Sequence, residues 1–223
     1  AVLLPRTSYY VEMKMEREFR TVSGKALEFV AVLSIPLTVS FTIMAKQCIL
    51  LLSGNAYLPS VIPMCIIMPT LILIGASNVF GVQMLVPLGK ETIVLYSECA
   101  GAVADIILNA VFIPRYGASG AAFGTLVAEA VVLVVQAAAL KNMAWEIIKK
   151  VEVWKILPAA ALSGAAMIFI KNKLNMPVFP VLVICFSVFF SIYGILLLGM
   201  KERILMELLR TAAKRLKQKE REE

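Results

Sequence analysis

The chain has 223 residues, 60% of them hydrophobic, with mean hydropathy +0.85 and a formal net charge of +7. An apolar share this far above the roughly 45–50% of soluble domains excludes an ordinary water-soluble domain. Histidine is absent, which excludes the usual His-containing zinc sets and His-based catalytic triads.

The apolar residues come in long blocks. Crossing a ~30 Å hydrocarbon core takes about 20 helical residues, and blocks of that order fall at 28–52, 61–86, 92–113, 118–140, 155–170 and 178–199. They are continuously apolar and do not alternate with a period of two, so helices are expected and a barrel is not. The expected fold class is all-α, a polytopic membrane bundle of about six transmembrane helices. The fifth block is the shortest. Ahead of them, Ala1-Val2-Leu3-Leu4 followed by Pro5-Arg6 reads as the tail of a further span. The organisation expected is residues 1–27 as the end of a span plus a connector, 28–140 as a four-helix unit, 141–200 as a loop with the last two spans, and 201–223 as a basic amphipathic tail. In that tail Leu205, Leu208, Leu209, Ala212 and Leu216 form one apolar stripe suited to a membrane surface.

Lys and Arg near span ends set orientation. Arg6, Lys14, Arg17, Arg20 and Lys25 precede the first full span, Lys90 sits in the second turn, four lysines lie in 141–155 and eight basic residues follow 200. These 18 fall on one side of six alternating spans; Arg115, Lys171 and Lys173 fall on the other. Both ends are therefore expected in the cytoplasm, and the positive charge reports orientation, with no nucleic-acid partner expected. The cysteines Cys48, Cys65, Cys99 and Cys185 all lie in apolar blocks without metal spacing, and buried structural thiols are expected.

Polar residues inside the blocks are the functional candidates. The first span carries Pro36, which favours a kink, and Lys46, which either lines a polar cavity or snorkels to the outer headgroups. The second carries Asn78 among small residues, suited to a helix–helix hydrogen bond or a cavity wall. The third carries Glu98, Asp105 and Asn109 at steps of seven and four, on one helical face. The fourth carries Thr125, Glu129 and Gln136. An acid in the bilayer core is costly and faces a partner or water. The short turn 115–120 makes the third and fourth helices antiparallel neighbours and is expected to let Asp105, Asn109 and Glu129 meet inside the bundle, as a packing knot or as a cavity or ion site. The last two spans hold a small-residue contact, Ala160 and Gly164, and a row of aromatics from Phe179 to Tyr193 expected to face lipid.

The stretches "SNVFGVQMLVPLGKE" and "SECAGAVADIILNAVFIPRYGASGAAFGTLVAEA" resemble the C-terminal half of bacterial polysaccharide and oligosaccharide flippases, within the multidrug/oligosaccharidyl-lipid/polysaccharide exporter superfamily. The likeness rests on a Gly-x-Gln before a Pro-x-Gly-Lys turn, then Asn109, a Pro-x-x-Gly-x-x-Gly-Ala-Ala run and Glu129. "VLLPRTSYY" also resembles a family helix end. Asp105 departs from the Asn more usual there. The resemblance implies the second lobe of a two-lobed, alternating-access exporter of the bacterial cytoplasmic membrane. Its substrate would be a polyprenyl-diphosphate-linked sugar unit. Its partners would be the N-terminal lobe, membrane lipids and polysaccharide polymerase machinery, with no cofactor. A proton- or sodium-coupled drug or metabolite antiporter of the same superfamily, using Asp105 or Glu129, is the alternative. A non-transporting membrane scaffold is a third. No nucleophile–base or metal-ligand set is visible, so an enzyme is not expected.

Overall fold

A computed structural model describes residues 3–207. Those residues form helices α1 (Leu3–Glu12), α2 (Glu16–Ile43), α3 (Ala45–Leu52), α4 (Val61–Ile67), α5 (Thr70–Phe80), α6 (Glu91–Tyr116), α7 (Ala118–Leu140), α8 (Asn142–Ile148), α9 (Val153–Lys173) and α10 (Val178–Gly199). A 3₁₀ segment, Asn55–Ser60, leads into α4, and a π-helical turn, Gly81–Leu85, follows α5. Six helical stretches are long and apolar enough to cross a membrane. The fifth, α9, is longer than its apolar block, because amphipathic Trp154 and Lys155 open it and Lys171 and Lys173 close it. Most of the amphipathic tail, residues 208–223, lies outside the described residues.

Helix α2 is the axis of the packing. It contacts α5 on one side and α9 on another, α7 packs against α4 and α5, and α6 packs on the outside of α7. The α9–α10 hairpin closes the opposite flank, with α10 against α3. Gly164 touches Val39 and Ile43 of α2, the close approach that the small residues at 160 and 164 permit. Along α10 the aromatics divide. Phe179 is exposed as expected for lipid contact, but Phe189 and Tyr193 are buried core residues. One face of α10 packs inward, and a helix with aromatics all round must bury some of them.

The proline in α2 acts differently from the expectation. The helix runs through Pro36 and breaks eight residues later, at Met44. A proline at 36 has no N–H to give to the carbonyl at 32. Tyr193 supplies the missing donor: its hydroxyl donates to the Val32 carbonyl at 2.9 Å. At the actual break, Lys171 donates to the Ile43 carbonyl at 2.9 Å. Thr38 donates in the same way to Met68, where α4 gives way to α5. These three irregularities thus each meet a side-chain donor, as hydrocarbon favours. Replacing Tyr193→Phe leaves a buried carbonyl unpaired and should cost about 1–3 kcal/mol. In a Pro36→Ala background the helix regains its own donor, and the same change should cost much less. Thermal unfolding of the four proteins in detergent checks this; equal costs in both backgrounds would disprove the pairing.

The cysteines also divide. Cys48 and Cys185 are buried, Cys65 is partly buried, and Cys99 is exposed. Cys99 stands on α6, whose outer face has no neighbour within the described chain, so an apolar block did not guarantee burial there.

Candidate functional site

The antiparallel pair α6–α7 is built on glycines. Gly117, at φ +53, turns the chain between them. Gly120 lies against the Phe112 carbonyl, Gly124 against the Asn109 amide, and Gly101 against Ala128 and Val132. On α7 the recurring step of four, 120, 124, 128, 132 and 136, forms one contact stripe. At its end Gln136, fully buried, donates to the Ser97 hydroxyl at 3.0 Å. Gly81, opening the π-helical turn, leaves just enough room for that amide, since a Cβ there would sit 2.9 Å from Gln136 Nε2. The Ser97–Gln136 bond was not anticipated, because serine in an apolar helix carries no sequence signal.

Two of the polar residues expected to meet do so. Asn109 Nδ2 donates to Asp105 Oδ2 at 3.1 Å. The remaining oxygens, Asp105 Oδ1 and Asn109 Oδ1, are buried without a partner and converge on Gly124: a Cβ there would lie 3.3 Å and 2.5 Å from them. Glu129 does not join this pair by a hydrogen bond. It stands five residues beyond Gly124, which turns it about 140° off the contact at 3.6 residues per turn. Glu98 is exposed on α6, one turn beyond the Gly101 contact. The pair therefore sits at the α6–α7 contact near the outside of the bundle, not at its centre. Its two orphaned oxygens suit a proton or a small cation.

Asn78 lies elsewhere. It is exposed and lines a cleft of about 830 Å³ between α1, the first half of α2, and the α5–π-turn junction. Three cations, Arg6, Arg17 and Lys25, line the same cleft, with Gln83, Tyr10 and Glu18. Arg6 Nε donates to the Tyr10 hydroxyl at 2.9 Å. Neither Arg6 nor Arg17 has an ion-pair partner among the described residues, whereas Lys25 pairs with Glu207 at 2.7 Å. Gln83, in the π-helical turn, has a buried carbonyl oxygen without a partner. Phe29, Val30 and Val79 add apolar wall to the cleft. Such a cleft offers forked, charge-assisted hydrogen bonds to an anion at its rim and an apolar slot beside it. Lys46 is exposed and does not line this cleft. The spans alone did not reveal the cleft, because its cations come from segments outside the apolar blocks.

The basic segments gather around this end of the bundle. Tyr10, Lys14, Phe19, Leu88 and Met143 line one small cavity there, bringing the α1–α2 link, the turn before α6 and α8 together. Arg20 pairs with Glu146, and Lys25 with Glu207.

The chain is thus a multi-pass, all-α membrane bundle whose polar features include a rim of cations on a cleft and a carboxylate–amide pair between two spans. Comparison with family models, with curated proteins and with solved structures finds no match to it.

Proposed function

We propose that this chain is the second lobe of an alternating-access exporter that moves a polyprenyl-diphosphate-linked oligosaccharide across the bacterial cytoplasmic membrane. The observation that carries the reading is the cleft. Among the described residues Arg6 and Arg17 have no carboxylate partner, they stand at the basic end of the bundle, and an apolar wall adjoins them. A lipid diphosphate has that pattern, two adjacent anionic groups joined to a long hydrocarbon chain. The resemblance of residues 76–91 and 97–130 to polysaccharide flippases supports the same reading. The basic end is cytoplasmic on this proposal, by the positive-inside bias. There Arg6 and Arg17 receive the diphosphate, Asn78 and Gln83 offer hydrogen bonds to the first sugar, and the lipid tail stays in the bilayer. An N-terminal lobe completes the cavity.

The orphaned oxygens of Asp105 and Asn109 favour a second reading, a proton- or sodium-coupled antiporter of the same superfamily, with that pair as the coupling site. Expression of the full-length protein in cells lacking their own flippase separates the two. Restored surface polysaccharide is the expected result; drug resistance without restoration would favour the antiporter. At matched membrane levels, Asp105→Ala should lower restoration tenfold or more if the pair couples transport, and Glu129→Ala should leave it near normal, since Glu129 lies off the contact. Full restoration in Asp105→Ala would reduce the pair to packing.

A further inference from the structure

Three carboxylates from distant parts of the chain converge beside the cleft. Glu28 comes from α2, Glu152 from the residue before α9, and Glu202 from the link after α10; one oxygen of each lies within 4.8 Å of the others. That spread equals the distance across a single hard cation bound at the roughly 2.3–2.6 Å of carboxylate–Ca²⁺ contacts. Glu28 is 2% exposed and Glu202 is fully buried. Glu28 and Glu152 are 124 residues apart in sequence, and Glu152 and Glu202 are 50 apart, so no spacing motif marks the group.

Their partners can be accounted for atom by atom. Glu202 accepts the backbone N–H of Ile204 at 3.0 Å and of Leu205 at 2.7 Å, starting the segment that follows. Lys201, at φ +49, makes the bend that turns Glu202 inward. Glu152 accepts Lys155 Nζ at 2.6 Å, and the same ammonium reaches the Lys201 carbonyl at 3.4 Å. Glu28 is different: the Glu152 backbone N–H and the charge of Arg203 act on its carboxylate, but its Oε1 is buried and has no hydrogen-bond partner. Of the other cations nearby, Lys25 is held by Glu207, while Lys150 and Arg203 are exposed on the small cavity beside Glu28. Inside the protein, three carboxylates therefore face the single buried ammonium of Lys155. Buried charges need a partner to be tolerated, and the buried oxygen in the group left without a hydrogen bond is Oε1 of Glu28.

The geometry points to a binding site for a hard, oxygen-liganded cation formed by Glu28, Glu152 and Glu202. Glu28 supplies the free oxygen, and the other two complete a carboxylate cage of the kind Na⁺, Mg²⁺ and Ca²⁺ accept. Lys155 offsets part of the anionic charge, which lowers the affinity without closing the site. A cation there ties α2 to both ends of the α9–α10 hairpin, next to the cleft wall that carries Lys25. This inference does not depend on the transport reading and is tested without transport.

The test uses the full-length protein in detergent, freed of metal by chelation and held in choline chloride. The Asp105→Asn variant is used throughout, so that the α6–α7 pair contributes no binding. NaCl, MgCl₂ and CaCl₂ are titrated separately at constant ionic strength while thermal unfolding is followed, and equilibrium dialysis gives the stoichiometry of the responding ion. One of the three should raise the unfolding temperature saturably, with one ion bound per chain. Glu28→Gln and Glu152→Gln should each move the midpoint to at least tenfold higher concentration, and Glu98→Gln should not. If Glu28→Gln fails to fold, Glu152→Gln and the dialysis carry the decision. No saturable response to any of the three ions overturns the site. So does a response that survives unchanged in the folded Glu28→Gln and Glu152→Gln variants.

Discussion

Replacing Gly120→Ala should destabilise the protein more than any other single-methyl change in the α6–α7 pair. The added Cβ would stand 2.5 Å from the Phe112 carbonyl oxygen, 2.6 Å from its carbon and 3.0 Å from the Ile113 nitrogen. All three are backbone atoms of a regular helix and have no rotamer by which to retreat. Relief requires α6 and α7 to separate, which would also open the Gly124 contact one turn on and the hydrogen bond from Gln136 to Ser97 further along. Overpacking of this kind typically costs about 1–3 kcal/mol, and a rigid backbone neighbour places it at the upper end. Gly194→Ala on α10 is the matched control: a Cβ there meets nothing within 4 Å. A helical glycine with room for a methyl gains about 0.5–1 kcal/mol on becoming alanine. The two variants should therefore move the unfolding temperature in opposite directions. A Gly120→Ala protein as stable as its parent would mean that the α6–α7 contact is looser than described.

The second large effect is expected at the cleft. Arg6→Glu with Arg17→Glu replaces two unpaired cations by anions, a swing of four charges at the rim where a diphosphate is proposed to dock. Each charge-assisted hydrogen bond contributes about 1.5–3 kcal/mol, so losing one Arg should lower substrate handling by a factor of ten or more. Reversing both should abolish it. Arg17→Lys keeps the charge but loses the planar fork and should fall between. Because both arginines are exposed at the cleft and pair with no carboxylate among the described residues, the folded state should tolerate all three changes. Unfolding temperatures within a degree or two of the parent, alongside lost transport, separate a binding role from a structural one.

Much of the architecture was legible from residue patterns. Six apolar blocks became six long helical stretches, and the short turn 115–120 correctly implied that α6 and α7 are neighbours, although α6 runs on through Pro114 to Tyr116. What could not be read was the path of hydrogen bonds across the bundle. Pro36 suggested a bend in α2, but the donor that relieves it, Tyr193, lies 157 residues away. The α2 break arises at Met44, where nothing in the local sequence marks it. For the site, Asp105 and Asn109 were visible because a step of four puts them on one helical face. Glu129 was grouped with them from the turn; it makes no hydrogen bond to the pair, but it stands within reach of the charges of Asp105 and Glu98. The cleft was missed because attention to charged residues inside spans singled out Lys46, while the cations that face the cavity sit on α1 and at the start of α2. Glu28, Glu152 and Glu202 escaped for a related reason: each looks like an ordinary charge near a helix end until the α9–α10 hairpin folds back onto α2.

The most direct test of the central proposal is translocation in a defined membrane. The full-length protein is reconstituted into liposomes carrying a polyprenyl-diphosphate-linked sugar, and the sugar accessible to an impermeant modifying reagent is followed over time. The wild type should bring the inner-leaflet pool to the outer surface within minutes, while the Arg6→Glu, Arg17→Glu protein, equally folded, should match empty liposomes. Wild-type liposomes no faster than empty ones, or equal rates in wild type and double variant, would contradict the account.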